Sequence, residues 1–203
     1  MNRSNSKTSN PGIKGIIFDL DGTIVDVSYD WVQIKNDLET GGKPVLSFIQ
    51  NLPEPEKTKK MKQLEQIEDK ATKKASLKDG IKELFDFLEK MNLKKALVTN
   101  NSKRNVDFII KKYRISFDLV MTRESGLWKP SGEAFLSVLE RWKFHKNDCC
   151  VVGDSMFDVV AARDAAINRV IILSEDRNHS FPGHVKAFST IKDLHRWFEE
   201  ELN

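Results

Sequence analysis

What restricts this chain most is a repeated alternation. Short β-branched runs that stop abruptly at polar residues are separated by stretches with helical apolar spacing. The runs are Ile13–Phe18 before Asp19-Leu20-Asp21-Gly22, Ala96–Thr99 before Asn100-Asn101, Asp118–Met121 before Thr122, Cys149–Val152 before Gly153-Asp154, and Arg169–Leu173 before Ser174. Runs this short and continuously apolar suit strands covered on both faces. Between them lie helical stripes: Leu77, Ile81, Leu84, Phe85 and Leu88; Val106, Ile109, Ile110 and Tyr113; Phe135, Val138, Leu139 and Trp142. Met156, Val159, Val160 and Ala162 begin another, and Leu194, Trp197 and Phe198 belong to a closing helix. Ser131 is the expected N-cap of the third stripe. Strands alternating with helices predict an α/β fold, a Rossmann-like parallel sheet with helices on both faces.

One segment breaks the alternation. From Ile24 to about Ser76 no buried-strand run occurs, but helical stretches do, at Trp31–Leu38, Val45–Asn51 and Glu56–Ala75. The last carries a narrow stripe of Met61, Leu64, Ile67, Ala71 and Ala75 amid Lys and Glu. Leu52-Pro53-Glu54-Pro55 separates two of the helices. The expected organisation is a frayed tail at 1–12, a core of 13–27 and 77–203, and a small helical cap at 28–76 inserted after the first strand. Both ends of the insert return to one place, so it sits over the C-terminal end of that strand.

Composition closes off several function classes. Lys and Arg total 33 against 30 Asp and Glu, too small a surplus to mark a nucleic-acid binder by its field. No apolar run approaches the roughly 18–20 residues of a membrane span. Residues 1–10 contain no hydrophobic stretch of the kind a secretory signal needs. The two cysteines, Cys149 and Cys150, are adjacent and make a poor staple, so a reducing, cytoplasmic setting is expected.

In an open parallel sheet, ligands bind beyond the carboxyl ends of the strands near the switch in strand order. Polar residues of one consistent type gather at the strand and loop exits: Asp19-Leu20-Asp21-Gly22-Thr23, Thr99-Asn100, Lys129-Pro130, and Gly153-Asp154 with Asp158 four residues on. Asp19 and Asp21 are two apart, which a regular strand would place on one face. Gly22 allows a tight turn and close backbone approach to an anion. Carboxylates without His or Cys nearby point to a hard cation, Mg2+ above all. The cation and Lys129 neutralise a phosphate dianion, while the Thr99 hydroxyl and backbone N–H groups donate to it. Thr23 and Asn100 join Gly22 as candidate substrate-binding residues. One carboxylate is then free to attack phosphorus without prior activation, and a second acid serves the leaving oxygen and the hydrolytic water. Asp19 and Asp21 can divide those roles. Alone, Asp-x-Asp-Gly-Thr also fits an Asx turn; the four clusters in this order are what favour chemistry.

These clusters resemble the motifs of the haloacid dehalogenase superfamily, in its Mg2+-dependent, phosphoglycolate phosphatase-like branch. Phe18-Asp19-Leu20-Asp21-Gly22-Thr23 looks like the first motif and Val98-Thr99-Asn100 like the second. Lys129-Pro130 resembles the third, and Val152-Gly153-Asp154-Ser155-Met156-Phe157-Asp158 the fourth. The resemblance implies Asp19 as nucleophile, Asp21 as general acid/base, and Thr99 and Lys129 as phosphoryl-holding groups. It implies Asp19, the backbone carbonyl of Asp21, and Asp154 as Mg2+ ligands, supported by Asp158. Two positions depart from the family pattern without bearing chemistry: Gly132, where Pro is common, and Ala166, where Gly is common. Asp21 is what phosphoryl transfer needs, so halide chemistry is disfavoured.

The expected substrate is a small phosphorylated metabolite, with no nucleic acid or membrane partner, handled by a monomer or weak homodimer. A phosphomutase acting on a sugar phosphate and a non-catalytic phospholigand-binding module are the alternatives. Asp26, Tyr29, Asp30 and Trp31 should lie nearest the site within the insert, with Tyr29 and Trp31 either stacking on substrate or packing between cap and core. Trp128 beside Lys129 is either core or entrance wall. Gly41-Gly42-Lys43 reads as a turn, the Lys57–Lys62 run with Glu65, Glu68 and Asp69 as a solvated helix face, and His145, His179, His184 and His195 lack metal-ligand spacing.

Overall fold

The computed structural model describes residues 12–174, 181–182 and 185–202. Its centre is β1 (Gly15–Phe18), whose four residues are all buried. On one side β1 pairs with β4 (Lys94–Val98), which pairs with β5 (Leu119–Met121). On the other side come β6 (Cys149–Gly153), β7 (Arg169–Leu173) and β8 (Val185–Phe188). All five pairings in the order β5-β4-β1-β6-β7-β8 are parallel.

The pleat divides these strands between two apolar layers. Ile16, Phe18, Leu97, Cys150, Val152, Ile171 and Leu173 pack against α4 (Ile81–Lys90), α5 (Lys103–Tyr113) and α8 (Ile191–Leu202). The alternate residues Ile17, Ala96, Val98, Cys149, Val151, Val170 and Ile172 pack against α6 (Glu133–Trp142) and α7 (Met156–Asp164). Two-sided burial accounts for the continuous apolar runs of the central strands.

The insert rises from a short antiparallel ribbon, β2 (Val25–Asp26) with β3 (Ser76–Leu77). It contains α1 (Trp31–Asp37), α2 (Val45–Gln50) and α3 (Glu56–Lys74), joined over their own cluster of Ile34, Leu38, Val45, Ile49 and Leu64. Among the described residues, no helix is long and apolar enough to cross a membrane.

Several local expectations change. Leu77 lies in β3 rather than in the helix that follows, and β2, β3 and β8 lack the buried run that marks a central strand. Gly132, not Ser131, caps α6, although the Glu133 N–H still donates to Ser131 Oγ (3.2 Å). A Cβ at Gly132 would stand 2.6 Å from the Ala165 backbone nitrogen, so glycine lets α6 begin against the end of α7. Ala166 takes φ 54°, the left-handed region where the family has glycine. The buried line of α3 is Leu64, Glu68 and Thr72, rotated from the apolar stripe expected. Glu68 is therefore not part of a solvated face. The expected tail lies, except for Gly12, outside the described residues, as do His179 and His184.

Candidate active site

The C-terminal ends of the strands flanking β1 open into a cavity of about 550 Å3, roofed by the insert. Its floor follows from strand pairing. The Asp19 N–H donates to Val152 O (2.9 Å), extending the β1–β6 register one residue beyond Phe18. The chain then turns at Gly22, with φ +77°, and the Gly22 N–H donates to Val25 O (2.8 Å). A Cβ at Gly22 would lie 1.9 Å from Asp154 Oδ2, so this glycine makes the space the Asp154 carboxylate occupies.

Lys129 joins the acids from the segment before α6. Its Nζ lies 2.6 Å from Asp19 Oδ1 and 2.7 Å from Asp158 Oδ1, and its side chain is 4% exposed. Asn100 fixes it: Asn100 Nδ2 donates to Lys129 O (2.8 Å), and the Lys129 N–H donates to Asn100 Oδ1 (2.9 Å). Asn100 lines the cavity, but its amide is engaged in holding the lysine backbone. Asp158, on the first turn of α7, accepts at Oδ2 from the Ser155 N–H (3.2 Å) and Ser155 Oγ (2.8 Å). Thr99 also lines the cavity, and its Oγ1 accepts from the Asn101 N–H (3.1 Å).

Asp19, Asp154 and Asp158 can bring one carboxylate oxygen each within 4.8 Å of the others. Burial, Lys129 acting against it, and the Asp158 and Asp21 charges together raise the Asp19 pKa to about 7. Burial, then Asp19 and Asp158, raise that of Asp154 to about 7. Burial also opposes the Lys129 charge, yet Asp158 and Asp19 hold its pKa above the ordinary lysine range. The cluster thus carries more negative charge than one ammonium balances, and its donors are all oxygens. That donor set fits a hard divalent cation.

Asp21 lines the cavity outside that carboxylate group. Asn101 Nδ2 donates to Asp21 Oδ2 (2.9 Å) and to the Tyr29 hydroxyl (3.3 Å). Asn101 Oδ1 accepts from the Ser102 N–H (2.8 Å) and Asn105 Nδ2 (3.0 Å), which settles which end of the amide faces the acid. Asp21 Oδ1 is buried without a hydrogen-bond partner. Burial, opposed by the Asn101 hydrogen bond, raises the Asp21 pKa to about 6.

Other expectations are corrected. Thr23 is fully buried and does not line the cavity. Asp26 pairs with Lys78 (2.5 Å) and Asp30 caps α1, so neither reaches the cavity. Tyr29 and Trp31 do line it, with ring centroids 5.0 Å apart. Trp128 does not. Gly41 and Gly42 form a turn with positive φ. Cys149 and Cys150 are buried and unbonded to each other. His145 caps a short 3-10 turn, its Nδ1 accepting from the Asn147 N–H, and His195 packs against Phe87.

Asn101 and Arg123 have no role expected from sequence, and Glu68, expected on a solvated helix face, is buried. Arg123 Nε donates to Asn100 O (3.0 Å), and its Nη2 donates to Glu68 Oε1 (2.5 Å) and Oε2 (2.6 Å). Both side chains are 7% exposed. This buried pair ties α3 of the insert to the loop bearing Asn100 and Asn101. Asn101-Ser102 ahead of a helix signals only a cap in sequence, and a Glu in a charged helix signals only solvent.

Comparison with known proteins agrees with the geometry. A yeast protein named uncharacterized hydrolase YOR131C, from Saccharomyces cerevisiae, is 28% identical over 192 residues, covering 90% of this chain and 88% of that one. A crystal structure of a hydrolase from Pseudomonas syringae superposes with TM-score 0.74 at 20% identity, covering 92% of this chain and 98% of the other. The crystal structure of a predicted phosphoglycolate phosphatase from Haemophilus somnus superposes with TM-score 0.70 at 21% identity, covering 91% and 97%. The family model for haloacid dehalogenase-like hydrolases matches residues 16–172. With its motif residues gathered around one cavity, the chain belongs to the haloacid dehalogenase-like hydrolase family.

Proposed function

We propose that this protein is a Mg2+-dependent phosphatase that hydrolyses a small phosphomonoester through a phospho-aspartate on Asp19. The observation that carries this reading is the contact of Asp19 with Lys129 (2.6 Å) in a cavity shared with Asp154 and Asp21. Asp19, the Asp21 backbone carbonyl and Asp154 would hold Mg2+. When bound, that ion supplies positive charge to the phosphoryl oxygens and keeps Asp19 ionised.

In the first half-reaction an Asp19 carboxylate oxygen bonds to phosphorus and the ester P–O bond breaks. Asp21 gives its proton to the departing oxygen, and the unpartnered Asp21 Oδ1 is the atom suited to carry it. Lys129 neutralises charge on the transferring group, and the Thr99 hydroxyl, which lines the cavity, would donate to it. In the second half-reaction Asp21 takes a proton from water, whose oxygen attacks phosphorus and releases Asp19. Asp158 keeps Lys129 oriented through the 2.7 Å contact. The helical insert acts as the cap that walls the leaving group from solvent. Buried free cysteines support a reducing, cytoplasmic setting.

The test is release of inorganic phosphate from an aryl phosphate with Mg2+, by the wild type and by Asp19→Asn. Turnover by the wild type and its abolition in the variant are expected. Turnover retained by a folded Asp19→Asn protein would refute the nucleophile assignment.

A further inference from the structure

Beyond the phosphate-binding floor, the cavity changes character. Tyr29, Trp31 and Leu64 face it from the insert, and Met156 and Phe157 from the first turn of α7. Trp31, Met156 and Phe157 are 48%, 41% and 40% exposed, although large apolar side chains are ordinarily withdrawn from water. They come from elements far apart in sequence and line one opening. Apolar surface gathered at a concave opening marks where a ligand's apolar part lodges.

The charges narrow the ligand further. Four carboxyl groups, those of Asp19, Asp21, Glu68 and Asp154, line the cavity. Lys129 is engaged by Asp19 and Asp158. Lys35, one helical turn after Trp31 on α1, is the other lysine of the lining. Glu68 is neutralised by Arg123 and Asp19 by Lys129, which leaves Asp21 and Asp154 as the unpaired acids of the lining. A second phosphate or a carboxylate on the substrate would meet a lone lysine, whereas a ring would meet two aromatic side chains, a leucine and a methionine–phenylalanine pair.

Building on the phosphatase reading, we infer that the leaving group is an alcohol with an apolar, ring-sized body, seated between Tyr29–Trp31 and Met156–Phe157. Polyanionic esters and esters of small hydroxy acids are poor substrates. The Met156–Phe157 pair and Trp31 are specificity-determining residues, since they touch the part of the ester that distinguishes one substrate from another.

The test uses the full-length wild type with Mg2+ and three phosphonates, which the enzyme cannot hydrolyse. These are methylphosphonate, 3-phenylpropylphosphonate and 3-phosphonopropionate, titrated by calorimetry. The phenylpropyl compound should bind about ten- to a hundredfold more tightly than the methyl compound. Trp31→Ala, and separately Met156→Ser with Phe157→Ser, should each shrink that ratio severalfold. A ratio near one, no binding by any of the three, or tightest binding of 3-phosphonopropionate with its advantage lost in Lys35→Ala, overturns the inference. If the ratio holds but the matching phosphate esters are not hydrolysed, the phosphatase reading falls and the ligand class stands.

Discussion

Replacing Asn101 with alanine isolates the positioning of Asp21, the general acid of the proposed reaction. The Asn101 amide donates to Asp21 Oδ2 at 2.9 Å and cannot turn away, because its carbonyl end accepts from Ser102 and Asn105. The bond makes the two oxygens of Asp21 unequal, with Oδ1 left without a partner and so, in the proposed reaction, the oxygen that holds the transferable proton. A hydrogen bond to a charged or titrating group contributes about 1.5–3 kcal/mol. If all of it orients the acid, the rate of ester cleavage falls about ten- to a hundredfold. An alkoxide needs that proton to depart and 4-nitrophenolate does not, so the loss depends on the leaving group. The assay is kcat/KM, which for the proposed covalent intermediate on Asp19 reports only steps through its phosphorylation. For Asn101→Ala, kcat/KM for 2-phenylethyl phosphate should fall about ten- to a hundredfold and for 4-nitrophenyl phosphate about threefold or less. Both are measured well below the melting temperature, because the variant also strips partners from Ser102 and Asn105. An equal loss on both esters, or none on either, refutes the positioning role.

Three other perturbations test separate parts of the site. Arg123→Met leaves Glu68 buried without its partner and should destabilise by about 3–5 kcal/mol, lowering Tm by about 10 °C, while Arg123→Met with Glu68→Met recovers most of it. A single variant melting like the wild type, or a double variant no better than the single, contradicts the energetic role of that pair. Gly22→Ala drives a Cβ into Asp154 Oδ2 and should weaken apparent Mg2+ affinity in activity titrations about tenfold or more, beyond a folding cost of about 1–2 kcal/mol; unchanged Mg2+ affinity refutes the placement of Asp154. The third is chelation. Folded-state pKa values of about 7 for Asp19 and Asp154 and about 6 for Asp21 exceed the ordinary 3.8. The chelator-treated folded protein thus keeps protons that the unfolded chain has lost, and its stability falls as pH rises from about 4 through about 7. Added Mg2+ should raise Tm more near pH 7.5 than near pH 5; an equal rise at both sinks the account of crowded carboxylates.

The parts of this molecule legible in sequence are those where one physical demand acts on several neighbouring residues. Phe18 and Ile17 face opposite layers, so β1 must be apolar throughout, and its stop at Asp19 is equally sharp. The insert helices are readable because Pro53 and Pro55 separate them and because their apolar spacing is local. The residues whose roles are not legible in sequence act through partners distant in the chain. Glu68 shares its helix with surface acids and differs from them only because Arg123 meets it inside the protein. Asn101 resembles any cap-forming asparagine until Asp21 is brought beside it. Thr23 erred the other way: adjacency to Gly22 suggested ligand contact, but the turn sends its side chain inward. The β2–β3 ribbon is too short to impose a pattern of its own.

That ribbon has a consequence for inheritance. Val25 and Asp26 pair with Leu77 and Ser76, so the insert leaves and re-enters the sheet domain at almost one point. Among the described residues, no strand of the six-stranded sheet draws a neighbour from it. Lengthening, shortening or exchanging the segment therefore changes loop closure by little and leaves the parallel ladder unaltered. The floor and the roof can diversify on separate schedules so long as Arg123 keeps a buried partner such as Glu68, and a chimera that keeps this doorway and that ion pair while trading roofs should retain the chemistry proposed for the floor and acquire a new taste.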